Sequence, residues 1–255
     1  MQRMRFLREL YQGLEEIGRK ILITIVWWPT LGLNVLFFTL LTIILPGKKH
    51  NGFGLCLAAT ILLKVAGIRV DVKGAEHIQR GRPQIFIVNH QSWFDSFVLC
   101  AILKVPVTFI SKKEMFRVPV YNCLMKRLHF ISVDRNHPRG ILKQLSDISA
   151  LFHSEISLII YPEGSRSKSG EVGVFRRGGL FFASSANVPV VPITLIGTRD
   201  IMPCGQYWIK YGKRVKVIIS KPMDIGKAGK ERQLKLTGEI RQQIIKNLEE
   251  SKKRV

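Results

Sequence analysis

A histidine and an aspartate can share a proton if the chain folds back between them, and this sequence offers two such pairs five residues apart. His90 and Asp95 form one, His129 and Asp134 the other. Ile85-Phe86-Ile87-Val88 ahead of His90 is apolar throughout, as a strand covered on both faces must be. Ser92-x-x-Asp95 then reads as a helix start before Phe94, Phe97, Val98 and Leu99. His90 therefore falls at the carboxyl end of a strand, where open α/β sheets carry their sites. His129 to Asp134 reads instead as one extended segment, whose ends lie about 16 Å apart at ~3.3 Å per residue. Its odd offset also points the two side chains to opposite faces. Context selects the first pair, although a core histidine and a capping aspartate fit the same residues.

A second loop repeats the arrangement. Ile159-Ile160-Tyr161 ends in Pro162-Glu163-Gly164-Ser165-Arg166-Ser167: the proline stops the strand and Gly164 permits a turn that a Cβ would oppose. Arg166 carries a planar fork of donors suited to a phosphate, with Ser165 and backbone N–H groups beside it. An ordinary turn would look no different. The sequence has no Walker A loop, no GxSxG elbow and no metal-spaced His/Cys set. Without a conventional nucleophile, the chemistry must proceed without an acyl-enzyme.

The elements that must position these loops follow from periodicity. Strands are expected at 85–89, 107–111, 130–133, 156–161, 190–195 and 215–220. Helices are expected at 92–103, 118–128, 138–153, 176–186 and 231–250, the last with Leu236, Ile240, Ile244 and Leu248 at spacings of four. Strands alternating with helices give an α/β class with a mixed, largely parallel sheet flanked by helices. This domain spans residues 71–255.

Residues 1–70 differ in kind. Ile21 to Leu45 contains no charged residue, long enough for a membrane span, which needs about 20. The run is too long for a signal peptide and no small-residue cleavage site follows it. After Lys48-Lys49-His50-Asn51-Gly52, Phe53 to Ile68 is apolar again but for Lys64. A single spanning helix and a hairpin dipping into one leaflet both fit. Trp27-Trp28-Pro29, read as a break with its tryptophans at the interface, tips the reading toward an N-terminal helical membrane anchor of two helices.

Lys+Arg 40 against Asp+Glu 18 gives a net charge of +22, which calls for an anionic partner: nucleic acid, phosphorylated substrates or anionic membrane lipids. Nucleic acid would want stacking aromatics on a basic face, whereas most aromatics here lie in apolar runs. Cys56, Cys100, Cys123 and Cys204 are far apart in sequence and form no CxxC pair, as expected of reduced thiols with no structural zinc.

Together these stretches form a recognisable pattern. Asn89-His90-Gln91-Ser92-Trp93-Phe94-Asp95 resembles the NHxxxxD motif of the glycerolipid acyltransferases, and Tyr161 to Ser167 resembles their FPEGTRS motif. Ser111-Lys112-Lys113-Glu114 and Phe130 to Arg135 look like the second motif, and Val188 to Ile193 like the fourth. The four stand in the family's order between residues 85 and 197. The pattern is most similar to the 1-acylglycerol-3-phosphate acyltransferases, which make phosphatidic acid from lysophosphatidic acid. Asn122 and His129 stand where the family usually has glycine, and Tyr161 and Ser165 replace Phe and Thr.

The resemblance implies a membrane enzyme on the cytoplasmic face, in a bacterium the inner membrane. Its partners would be lysophosphatidic acid, an acyl-CoA or acyl-carrier protein donor, and anionic lipid, with no cofactor or metal. His90 would be the general base toward the acceptor hydroxyl, with Asp95 fixing its tautomer. Glu163, Gly164, Ser165 and Arg166 would place the acceptor's phosphate, with Lys112 and Arg135 as further contacts. A thioester suits direct attack, because its thiolate leaves with little acid assistance.

Overall fold

Ile85–Val88 forms β2, buried along its whole length at the centre of a seven-stranded sheet. The computed structural model describes residues 2–44, 48–133, 141–176, 188–224 and 229–253. In chain order the strands are β1 (Arg69–Lys73), β2, β3 (Val107–Lys112), β4 (Ile131–Val133), β5 (Ser157–Ile160), β6 (Val190–Ile196) and β7 (Arg214–Ile219). Their spatial order is β1-β7-β6-β2-β5-β3-β4. Every neighbouring pair is parallel except β6 with β7, so the expected mixed, largely parallel sheet is present. The helices are α1 (Gln2–Ile44), α2 (Lys48–Val65), α3 (Phe94–Leu103), α4 (Pro119–Arg127), α5 (Ile141–His153), α6 (Thr198–Ile201) and α7 (Lys230–Lys252).

The period of two along each strand sorts its side chains into two cores. Phe86 and Val88 face one core with Ile159, Val191 and Ile193, under α2, α3 and Trp27. Ile85 and Ile87 face the other with Leu158, Ile160 and Val190, against α5 and the Ile240 and Ile244 stripe of α7.

Several expectations shift. β1, unforeseen, is an edge strand with charges at alternate positions, Arg69, Asp71 and Lys73. Helix α3 begins at Phe94 rather than Ser92: Ser92 stands ahead of it, its N–H donating to Asp95 Oδ2, its Oγ accepting Phe94 N–H and its hydroxyl donating to Met202 O at 2.8 Å. Strand β4 begins at Ile131, and His129 sits before it in a left-handed turn with φ 57°. Asp134, its presumed strand-mate, and most of the helix expected over 176–186 lie outside the described residues.

Pro29 does not end α1, which runs unbroken for 43 residues, about 65 Å at ~1.5 Å per residue. Trp27 is no interfacial anchor: it is 1% exposed, its ring 5.1 Å from that of Phe94, and its Nε1 donates to Leu62 O. The stretch Leu10–Thr42 is long and apolar enough to cross a membrane, and only 17% of its most apolar window is buried.

Candidate active site

Parallel pairing of β2 with β5 brings the two polar loops together. Ile87 lies opposite Ile160, so three residues beyond this pair His90 falls beside Glu163. The His90 backbone N–H donates to Glu163 Oε1 at 2.8 Å, and the Ser167 N–H donates to His90 O at 2.7 Å. Lys112 ends β3, on the far side of β5.

The imidazole is held on one edge and one face. Its Nδ1 lies 2.7 Å from Asp95 Oδ2, which leaves Nε2 as the ring nitrogen open to chemistry. Asp95 is fully buried, and the same Oδ2 accepts the N–H groups of Gln91 and Ser92 at 2.6 and 2.9 Å. The bond to Ser92 N–H is half of a capping box, so capping and orienting the histidine are one arrangement. Asp95 Oδ1 is buried without a hydrogen-bond partner. Tyr161 stacks on the imidazole, centroids 3.9 Å apart and planes 14° apart, while its hydroxyl meets Ser96 Oγ at 3.1 Å. Burial holds the Tyr161 phenol well above its ordinary value, with Asp95 adding to the shift, so the ring beside His90 stays neutral.

Of the residues expected at a phosphate, Lys112, Gly164, Ser165 and Arg166 line one cavity with His90. Glu163 does not line it. Its Oε1 accepts from His90 N–H and its Oε2 from Gly173 N–H at 2.9 Å, so it fastens two loops behind the site. Burial raises the Glu163 carboxyl above the ordinary carboxylate range, and those two N–H groups pull it part of the way back. Gly164 has φ 74°, and a Cβ there would sit 2.8 Å from Arg176 Nε. The Arg166 guanidinium lies over the Trp93 ring at 4.9 Å, and its Nη1 is buried with no hydrogen-bond partner. Arg135 falls outside the described residues.

The cavity, of about 1860 Å³, is lined by His90 together with the cationic side chains Lys112, Arg166, Lys168 and Arg176. It runs on between α1, α2 and α4 along Val35, Phe38, Leu62, Leu124 and Phe130. Sequence reasoning missed the Tyr161 stack, the Trp93–Arg166 contact and the clamp by Glu163. The β2–β5 register alone could have signalled the last.

A family model, Acyltransferase, matches residues 69–196. The chain belongs to the Acyltransferase family. Among members, a chloroplastic 1-acyl-sn-glycerol-3-phosphate acyltransferase of Brassica napus is 37% identical over 161 residues, covering 63% of this chain and 46% of the relative. One from Pseudomonas aeruginosa is 33% identical over 165 residues, covering 62% and 61%. The matches thus span about half the length of the plant relatives. The fold matches the crystal structure of a 1-acyl-sn-glycerophosphate acyltransferase, PlsC, from Thermotoga maritima. Its TM-score is 0.80 at 24% identity, over 93% of this chain and 98% of that one.

Proposed function

We propose that this acyltransferase moves a fatty acyl group from a thioester, acyl-CoA or acyl-carrier protein, to the sn-2 hydroxyl of 1-acylglycerol-3-phosphate, giving phosphatidic acid. The observation that carries the reading is the Asp95-held imidazole in a cavity whose lining joins four cationic side chains to a large apolar surface. A substrate with a phosphate at one end and an acyl chain at the other matches that lining. The similarity to relatives named for this activity supports it.

In the reaction, Nε2 of His90 takes the proton of the acceptor hydroxyl as its oxygen attacks the thioester carbonyl. Asp95 fixes the tautomer and stabilises the imidazolium that forms. Collapse of the tetrahedral intermediate expels the thiolate, which recovers the proton, and the products are an ester and a free thiol. The thioester itself supplies the activation, so the step draws on no resident cofactor. Arg166, whose buried Nη1 lacks an acceptor, would pair with the phosphate alongside Ser165 and Lys112 and hold the hydroxyl near His90. The apolar α1 and α2 would seat the site at the cytoplasmic face of a membrane, in a bacterium the inner one.

The test is thiol release from the purified chain with acyl-CoA or acyl-carrier protein, offering lysophosphatidic acid or glycerol-3-phosphate as acceptor. Turnover with the former and not the latter is expected, and His90→Ala should remove about 10²–10⁴-fold of it. Full activity in His90→Ala would overturn the mechanism. Arg166→Ala should raise the acceptor's KM far more than the donor's; an equal rise in both would make Arg166 a fold residue.

A further inference from the structure

Three aromatic residues stand exposed in five positions of the loop between α6 and β7: Tyr207 at 66%, Trp208 at 48% and Tyr211 at 49%. The backbone beneath them is fixed. Ile209, between them, is fully buried, and its N–H donates to Thr24 Oγ1 of α1 at 3.0 Å. Lys210 N–H donates to Ile201 O, Gly212 N–H donates to Ala66 O, and Trp28 Nε1 donates to Tyr207 O at 3.1 Å. Large rings exposed on a secured loop mark a surface that something else covers.

We propose that this loop is a second membrane contact, on the catalytic domain itself, that seats Tyr207 and Trp208 among the headgroups of an anionic phospholipid bilayer. The inference rests on the membrane reading of α1 and extends it to a surface far away in sequence. Its ground is a shared order of layers. The loop runs alongside α1 so that Lys210 and Lys213 share a polar cleft with Arg19 and Lys20, Ile209 meets Thr24, and Tyr207 meets Trp28. Beyond Trp28, α1 carries no charge as far as Ile44 and exposes Leu33, Phe37 and Leu40. Basic, then aromatic, then apolar is the profile of a bilayer's edge. Tyrosine and tryptophan suit its middle layer, because each joins an apolar ring to a polar tip.

Glu15 and Glu16 also line the cleft, with Glu15 paired to Arg19 at 2.6 Å, so the lysines leave it net positive toward anionic headgroups. The loop is coupled to the chemistry as well. Cys204 lines the apolar cavity, and Met202 O accepts the hydroxyl of Ser92 in the catalytic motif. A loop resting on the bilayer therefore brings the cavity to the surface where a lysophospholipid resides.

The experiment uses the full chain in phosphatidylglycerol/phosphatidylcholine vesicles whose acyl chains carry bromine near the headgroup or deep in the leaflet. The emission of Trp208 is taken as the difference between the wild type and Trp208→Phe, which retains an aromatic ring. Shallow bromine should quench that difference by about half or more, and deep bromine far less, as for a ring at the interface. A difference unaffected by either bromine overturns the loop contact. Flotation of the same vesicles separates the two readings: a chain that floats unquenched loses only this inference, whereas a chain that does not float loses the α1 anchor too. Loss of quenching together with a doubled mass in light scattering would assign the loop to a second copy, and would also overturn it.

Discussion

Glu163 is 9% exposed, with one carboxylate oxygen on His90 N–H and the other on Gly173 N–H. Because burial raises its pKa in the fold, the folded chain holds this proton more tightly than the unfolded chain, where a glutamate titrates near ~4.3. Between those two values, stability contributed by protonated Glu163 is lost as pH rises. Glu163→Gln removes that slope, so the stability difference between wild type and variant should move against the wild type across this window, read by chemical denaturation at stepped pH. Above the window the difference no longer changes with pH, and it includes the about 1–3 kcal/mol that glutamine costs by keeping one acceptor and orphaning one buried N–H. Because the orphan is His90 or its loop partner, kcat should fall about tenfold or more through misplacement of the imidazole. Both KM values should stay nearly unchanged; a rise confined to the acceptor's KM would return Glu163 to the phosphate. Tyr161 acts on the same imidazole from its face. Tyr161→Phe keeps the stacked ring and loses the Ser96 contact, about 1 kcal/mol of stability, with kcat little changed. Tyr161→Leu removes the stack, and its kcat should fall well below that of the phenylalanine variant.

At the scale of elements, legibility followed burial. β2 is an unbroken apolar run, and β5 and β6 are apolar but for Ser157 and Thr194, because the sheet's centre is covered on both faces; the motif histidine just past β2 could be placed from sequence. Edge strand β1 was invisible: Arg-Val-Asp-Val-Lys shows four of five positions to solvent, so no apolar signal marks it. The His90–Asp95 pair was readable because one turn closes it. The Glu163–Gly173 bond was not, since it closes a loop with no periodicity. The family's glycine in place of His129 has a backbone reason. His129 holds φ 57°, between the Met125 carbonyl that accepts Phe130 N–H and the start of β4. A side chain in that region costs about 1–2 kcal/mol, partly offset by the greater freedom of glycine when unfolded. His129→Gly should therefore stabilise the chain by about 0.5 kcal/mol, seen as a higher thermal midpoint with activity retained. A lower midpoint would mean that contacts of the imidazole outweigh the backbone strain.

For the molecule as a whole, α1 and α2 are walls of the fold, beyond the anchoring proposed for them. Ala59, Leu62 and Leu63 of α2, Ala66 just after it, and Trp27 of α1 are buried in the same cluster as Phe86, Phe94 and Val98. Trp27 also meets Phe97, ring to ring at 5.6 Å, and Thr24 caps Ile209 N–H. A sheet needs a layer on each face. The opposite face has α5 and α7, while this one would keep α3 as its chief cover if residues 1–66 were removed. That loss also opens the apolar cavity, whose wall is built from Val35, Phe38 and Leu62. Trp27→Ala alone should cost about 3–5 kcal/mol, a large share of the roughly 5–15 kcal/mol that holds a domain together. A chain beginning at residue 67 should accordingly fail to give a cooperative thermal transition or a structured near-ultraviolet circular dichroism spectrum, in detergent as well as in buffer. Detergent replaces a bilayer but cannot replace Trp27 between α2 and α3, so recovery of a folded, active domain in detergent would show that the helices only anchor. The +22 charge makes a separate contribution. Retention of the full chain on anionic vesicles should weaken as salt rises from 0.1 to 1 M, over which the screening length falls from about 10 to 3 Å. The buried Trp27 contacts should be indifferent to that change, leaving the folded chain intact where its attraction to the membrane surface has faded.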